Sequence, residues 1–382
     1  MRANKIAAII SGVYESKELL PLTENRPLST LPFDCKYRIL DFSLSNAVNA
    51  NIKQVYMIFN QHQTKSVFDH IGGGREWHLD SVDSRFFINF YQEYLQKKAE
   101  GLPYYDDAID FLNKSKSEYT VFMGNRMLCN IDIESVLKIH QQKDVDLTVV
   151  YKKMSKEYIS AKDVILKIDD GHVIGYDRFE NNRLEDELHN LSMTIFICRT
   201  DWLIRQFQEG QLNNSPASMQ EFLMDRMNQV RTSAYEYTGF LSNIFDVKSY
   251  YDANMAMLDS KKFNSLLYTS QKIYTKLKNE VATYYAPTSV VNNSQFATGC
   301  IIEGKVENSL FSRKTFVAKD AEVYDSIVMA NVKIQENAFI KNAIVDKNVI
   351  IEPGVKIIGT AEKPVVVRKN AHVLNDIYGG EH

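Results

Sequence analysis

The sequence predicts an α/β protein in two parts: a mostly parallel, Rossmann-like sheet with helices on both faces, then a C-terminal parallel β-helix of hexapeptide repeats. Three observations carry this. Short runs of Val, Ile and Phe without polar alternation recur through the first part of the 382 residues, as in strands buried on both faces. Segments of helical spacing separate those runs, which joins them by crossovers. A six-residue repeat governs the C-terminal part.

In chain order, strands are read at Lys5–Ile10, Gln54–Phe59, Tyr119–Gly124, Asp146–Tyr151 and Met193–Cys198. Helical spacing covers Asp106–Leu112, Asp132–Gln141 and Ser218–Val230. Ligands of such sheets sit beyond the carboxyl ends of the strands. The stretch IISGVYESKELLPLT, Ile9 to Thr23, therefore lies where a phosphate-binding loop belongs. Such a loop needs glycines, so that backbone N–H groups can approach the phosphates. Here its middle reads Val13, Tyr14, Glu15, Ser16, Lys17, Glu18.

The repeat is explicit in the tetrapeptides that begin at Asp320, Asp325, Asn331, Asn337, Asn342, Asn348 and Gly354, spaced by 5, 6, 6, 5, 6 and 6 residues. Each joins a turn-former, a small or β-branched residue, a variable residue and an aliphatic one. Six residues make one short strand and one corner, and three sides close a triangular coil of about 18 residues. The aliphatic residue is expected to stack on its counterpart one coil below. Ser289–Phe316 carries a looser version of the pattern. Tyr268–Tyr285 carries none and reads as a linker, so the expected division is residues 1–267, 268–285 and 286–382.

Composition bounds the function. A hydrophobic fraction of 45%, a charged fraction of 24% and a net charge of −3 are those of an ordinary soluble globular chain. No basic run supports nucleic-acid binding, and no apolar stretch approaches the ~20 residues that cross a bilayer. The apolar run in MRANKIAAIISG reads as a first strand, not a signal peptide. Cys35, Cys129, Cys198 and Cys300 lie far apart, as thiols of a cytoplasmic protein do. His62, His70 and His78 recur every eight residues, but no carboxylate completes a metal-ligand spacing, so no metal site is expected.

A sheet of this kind followed by a β-helix, with KYRILDFSLSNAVNANI at Lys36–Ile52, resembles the bacterial glucose-1-phosphate adenylyltransferase family. PLTENRP (Pro21–Pro27), HIGGG (His70–Gly74), SYYDANM (Ser249–Met255) and NAIVDKNVIIEPGVKI (Asn342–Ile357) extend the resemblance over nearly the whole chain. It implies a nucleotidyltransferase domain of GT-A type, a left-handed β-helix, and a reaction in which ATP and glucose-1-phosphate give ADP-glucose and pyrophosphate. That chemistry uses glycines at the phosphates, an Arg and a Lys against the developing charge, two Asp residues on Mg²⁺, and a Lys for the sugar phosphate.

The family's motifs fall here on other residue types. Its paired glycines match Val13 and Tyr14, and its catalytic Arg matches Glu18 (Lys17 if one residue is inserted). Its Lys before proline matches Leu28. The element that ends its third strand matches Asn125-Arg126-Met127, placing Arg126 at one metal Asp. The sugar-phosphate element matches Asp177 to Glu180, with Arg178 and Phe179 and no Lys. The second metal Asp matches Asn243. A carboxylate for a guanidinium beside a triphosphate turns attraction into repulsion, and a guanidinium for a carboxylate puts a cation where Mg²⁺ should sit. The pattern resembles the non-catalytic subunits of Gram-positive members, which pair with a catalytic homologue and raise its activity.

 That group contributes no catalytic residue of its own and takes no cofactor; Mg²⁺ and ATP belong to the partner.

Other parts of the motif set are kept. Arg26, Lys36 and Arg38 match cations that line a phosphorylated-effector site between the two domains in regulated family members, and Arg suits bidentate phosphate binding. A competing role for Arg38 is an ion pair with Asp41. A helix over 249–263 is expected to pack Tyr250, Asn254, Met257 and Leu258 against its own domain. The exposed coil end and lateral face of the β-helix suit assembly into hetero-tetramers, with self-association as a further outcome. Two alternatives stay open: an active enzyme in which Lys17, Arg126 or Arg178 replaces the lost cations and Asp107 or Asp246 holds the metal, and a free-standing sensor of a sugar phosphate or nucleotide. Hexapeptide acyltransferases use a coil His as base, and Ala286–Asn370 contains no His, which removes that class.

Overall fold

Nine strands form one sheet: β1 (Ile6–Gly12), β2 (Gln54–Phe59), β3 (Arg85–Phe90), β4 (Tyr119–Gly124), β5 (Leu147–Met154), β6 (Val164–Asp169), β7 (His172–Arg178), β8 (His189–Arg199) and β9 (Thr232–Glu236). Their spatial order in this computed structural model is β3-β2-β1-β4-β8-β5-β9-β7-β6. The structure describes residues 5–181, 187–278 and 280–379. β3, β2, β1 and β4 are parallel, β8 runs antiparallel between β4 and β5, β9 is parallel to β5, and β7 and β6 form an antiparallel hairpin. Every residue of β1 and β2 is buried, which is why those runs lack polar alternation.

Two elements left no clear periodic signal. The helix Ile39–Asn49 is buried on nearly all sides, so no amphipathic stripe marks it. β3 is the edge of the sheet and half exposed, so its apolar run is neither continuous nor alternating. The helix expected over 249–263 is two helices: Val247–Met255 passes through a 3-10 turn, and Asp259 caps a new helix, Ser260–Leu267, by accepting from the Lys261 and Lys262 N–H groups. Tyr250 and Asn254 pack on the chain's own segment 32–34, through Tyr250 Oη to the Pro32 carbonyl (2.6 Å) and the Asp34 N–H to Asn254 Oδ1 (3.1 Å).

The C-terminal part is a three-sided parallel β-helix. Lys333 pairs with Ile350 and Phe339 with Lys356, so one coil advances 17 residues. In the looser first coils Ile301 pairs with Phe316 and Val290 with Lys305, an advance of 15. The seven turn-formers of the repeat, Asp320 to Gly354, all have φ between 45° and 74°, the left-handed region that Asn, Asp and Gly tolerate. Val323, Ile334, Ile340, Val345, Ile351 and Ile357 point inward and are fully buried, stacked coil on coil. The first strand of the coil is Tyr284–Tyr285, inside the segment read as linker.

One face of the β-helix is welded to the first domain. Leu310, Ile327 and Ile344 join Leu22, Leu28, Phe33, Tyr250, Tyr251 and Met257 in a single buried cluster. Among the polar ties across the same boundary are Arg26 to Asp346, and the Tyr251 hydroxyl to the Asp325 carbonyl. The segment after Leu267 lies along the first domain, where the Tyr274 N–H donates to Ser45 Oγ (2.8 Å) and Asn49 to the Lys272 carbonyl (3.0 Å).

Candidate functional site

The loop after β1 is pinned as soon as it leaves the sheet. Asn60, just beyond β2, donates through Nδ2 to the Val13 carbonyl (3.0 Å) and to Glu15 Oε1 (2.9 Å). Ser16 then caps a short 3-10 turn, Lys17–Leu19, accepting from the Glu18 N–H at 3.3 Å. Lys17 and Glu18 are exposed, whereas Leu28 is buried in the interdomain cluster. Glu18 and Leu28 are therefore not brought into the cluster of side chains described next.

That cluster forms around Asp163. Arg126 follows β4, and an antiparallel ribbon pairs Met127 with Asn243, which sets Asn243 beside Arg126. Arg126 donates to Asp163 Oδ1, and Asn243 Nδ2 donates to Asp163 Oδ2 (2.6 Å) and to the Tyr158 carbonyl (3.0 Å). The Tyr14 ring lies 4.5 Å from the Arg126 guanidinium, a cation–π contact. At the end of β7, Arg178 donates to the Lys162 carbonyl (2.7 Å) and the Phe179 N–H donates to the Asp163 carbonyl (2.8 Å). Asn125 accepts from the Ser43 hydroxyl at 3.4 Å. Asp163 is 2% exposed and Arg126 9%. Sequence reasoning missed Asp163; its one signal is that a buried guanidinium requires a carboxylate from somewhere.

These residues do not fit a divalent cation. Such an ion needs free carboxylate oxygens, and both oxygens of Asp163 are already engaged by Arg126 and Asn243. An arginine here stays charged and adds repulsion. Asp107 and Asp246, the metal ligands a rebuilt site would use, are committed elsewhere: Asp107 pairs with Lys97, and Asp246 caps the helix Val247–Met255. The three spaced histidines also part ways. His70 is buried against Asp41, His62 lies 3.3 Å from Glu15, and His78 meets the Tyr274 ring edge-on. Among the described residues no group of three His, Cys, Asp or Glu side chains is placed to hold a metal.

A cavity of about 640 Å³ opens between the two domains, and Arg26, Lys36 and Arg38 all line it. Lys276 and Lys278 reach it from the linker, and Arg313, Lys347 and Lys369 from the β-helix. Among the described residues that line it, Asp69 is the one acid. The sequence missed the last five cations because they lie far from the motif that marks the first three. Arg26 is held by Asp346 and Arg313 by Glu280. Arg38 donates its guanidinium to the Thr30 carbonyl, and Asp41 accepts from its backbone N–H (2.9 Å) rather than forming an ion pair with it. Burial, with Arg38 and Arg26 nearby, pushes the Lys347 ammonium down to about 6. Burial, with Lys276 and Arg313, also lowers Lys278. The cavity is thus built from cations that repel one another, an arrangement that an anion relieves.

Comparison with known proteins agrees with both halves of the architecture. The nucleotidyl transferase model matches residues 8–173, and the GlmU-like C-terminal hexapeptide model matches residues 281–369. The glycogen biosynthesis protein GlgD of Bacillus subtilis is 30% identical over 370 residues, covering 96% of each chain. A glucose-1-phosphate adenylyltransferase of Clostridium perfringens is 28% identical over 384 residues, covering 96% of this chain and 97% of its own. That of Bacillus mycoides is 27% identical over 362 residues, covering 91% and 93%.

Proposed function

Because the chain belongs to the glucose-1-phosphate adenylyltransferase family, we propose that it is a regulatory, catalytically silent subunit of that enzyme, supporting ADP-glucose synthesis for glycogen biosynthesis beside a catalytic homologue. The observation that carries this reading is the buried contact of Arg126 and Asn243 with Asp163. Phosphoryl chemistry depends on cations placed against the charge that develops on the phosphates. Here both oxygens of the one buried carboxylate of the cluster are engaged, by the guanidinium beside it and by Asn243, while Arg126 Nη1 keeps no partner and the Tyr14 ring lies against the guanidinium. The interdomain cavity is the second part of the proposal: a phosphorylated metabolite binds its lysines and shifts the partner's activity through differential affinity for two states of the complex.

The test is pyrophosphate release from ATP and glucose-1-phosphate with Mg²⁺, by this chain alone, by a catalytic homologue alone, and by the two co-expressed. Silence alone with a faster homologue on co-expression is the expected result. Turnover by this chain alone overturns it.

A further inference from the structure

We propose that a dianion enters the interdomain cavity together with a proton, and that Lys347 takes up that proton. The inference rests on reading the cavity as an anion site and adds a regulatory property to it. Lys347 sits on a corner of the β-helix where its neighbours are of the wrong sign. Arg26 and Arg38 face it from the segment 25–38, and Lys369 from the next coil. Across the cavity stand Lys36, Arg313, Lys276 and Lys278, with His70 and Asp69 on the helix Lys65–Ile71.

The nearby carboxylate, Asp346, offsets these cations only in part. One oxygen of Asp346 binds the Arg26 guanidinium, and the other accepts the Lys347 backbone N–H at 2.6 Å. Burial and these cations hold the amine at about 6 in the empty cavity, so near pH 7.5 it is neutral. The arginines cannot answer in the same way, because they stay protonated throughout this range. An arriving dianion reverses the local field and favours the charged amine. The proton comes from solvent, and no bond is made or broken.

The sign follows from linkage. Between about pH 6 and the higher value the amine takes when an anion is bound, the complex holds one proton more than the empty protein. Anion affinity therefore falls as pH rises, by up to tenfold per unit. Below pH 6 Lys347 is already charged, and the dependence disappears.

The experiment is calorimetric titration with inorganic sulfate, which stays fully ionised over this range and contributes no proton of its own. It is run at pH 7.5 in buffers of different ionisation enthalpy, on the full chain and on Lys347→Arg, with thermal unfolding as the check that the variant folds. The native chain is expected to take up close to one proton per sulfate bound. The Arg variant is expected to bind sulfate with uptake near zero. Sulfate binding by the native chain without proton uptake overturns the inference and leaves the anion site standing. Equal uptake by the Arg variant also overturns it and moves the proton to another group. Failure of the native chain to bind sulfate or inorganic phosphate at all overturns the anion site itself.

Discussion

Arg126 and Asp163 form a buried ion pair in the cleft beyond β1 and β4, and Asn243 donates to the remaining oxygen of the same carboxylate. Arg126 and Asn243 are thereby tied to each other through a third residue. The pair closes the chemistry of the cleft and braces its walls, since Asp163 also holds Phe179 through its backbone.

Removing one partner should cost more than removing both. Asp163→Ala leaves a guanidinium buried without a counter-charge and is expected to destabilise the fold by about 3–5 kcal/mol. Arg126→Met combined with Asp163→Leu should cost clearly less. Urea unfolding of the three proteins checks the order.

A carboxylate at position 126 should not bring activity. Arg126→Asp places two acids side by side while Val13 and Tyr14 still stand in the loop after β1. Pyrophosphate release is expected to stay at background, and stability should fall.

Asp34 supplies a pH test. Burial pushes its carboxyl up to about 7, with Lys36 opposing, and Oδ1 has no hydrogen-bond partner. A raised carboxyl contributes stability below its unfolded value near 4, and that contribution is lost as pH rises through 7. Asp34→Asn, which suits the residue's φ of 46°, should therefore gain on the native protein between about pH 4 and 7, by at most roughly 4 kcal/mol, and keep that lead at higher pH. Comparing the two proteins at each pH cancels the opposite trend from Lys347. A difference in melting temperature that does not change with pH would count against this.

The weld between the domains has a polar pin. Arg26→Ala leaves Asp346, 2% exposed, without its partner and is expected to cost about 3–5 kcal/mol. Limited proteolysis in the 268–285 segment should quicken in the same variant, because the apolar cluster around Ile327 and Ile344 then holds the docked domains without its buried ion pair.

The corners of the β-helix respond to backbone geometry. Asn337 has φ 58°, so Asn337→Ala should lower stability by about 1 kcal/mol, whereas Asn337→Gly should not. Thermal unfolding distinguishes them.

The β-helix and most strands of the sheet were legible in the sequence, because their determinants are local and repeated. A left-handed corner, a small inward residue and an aliphatic one recur from Asp320 to Ile357, and each coil needs only its neighbour. Val13, Tyr14, Arg126 and Asn243 could be singled out as candidates, since each stands inside a motif, and the structure brings Tyr14, Arg126 and Asn243 together. Asp163 was not, nor were Lys276, Lys278, Lys347 and Lys369. Asp163 meets Arg126 because a two-stranded ribbon and the β6–β7 hairpin converge at one end of the sheet, a consequence of strand order that no local pattern encodes. A lysine at a β-helix corner reads the same whether it faces water or a closed cavity. Only the docking of the two domains leaves Lys347 half-buried beside Arg26 and Arg38, and that setting, not its sequence context, shifts its amine.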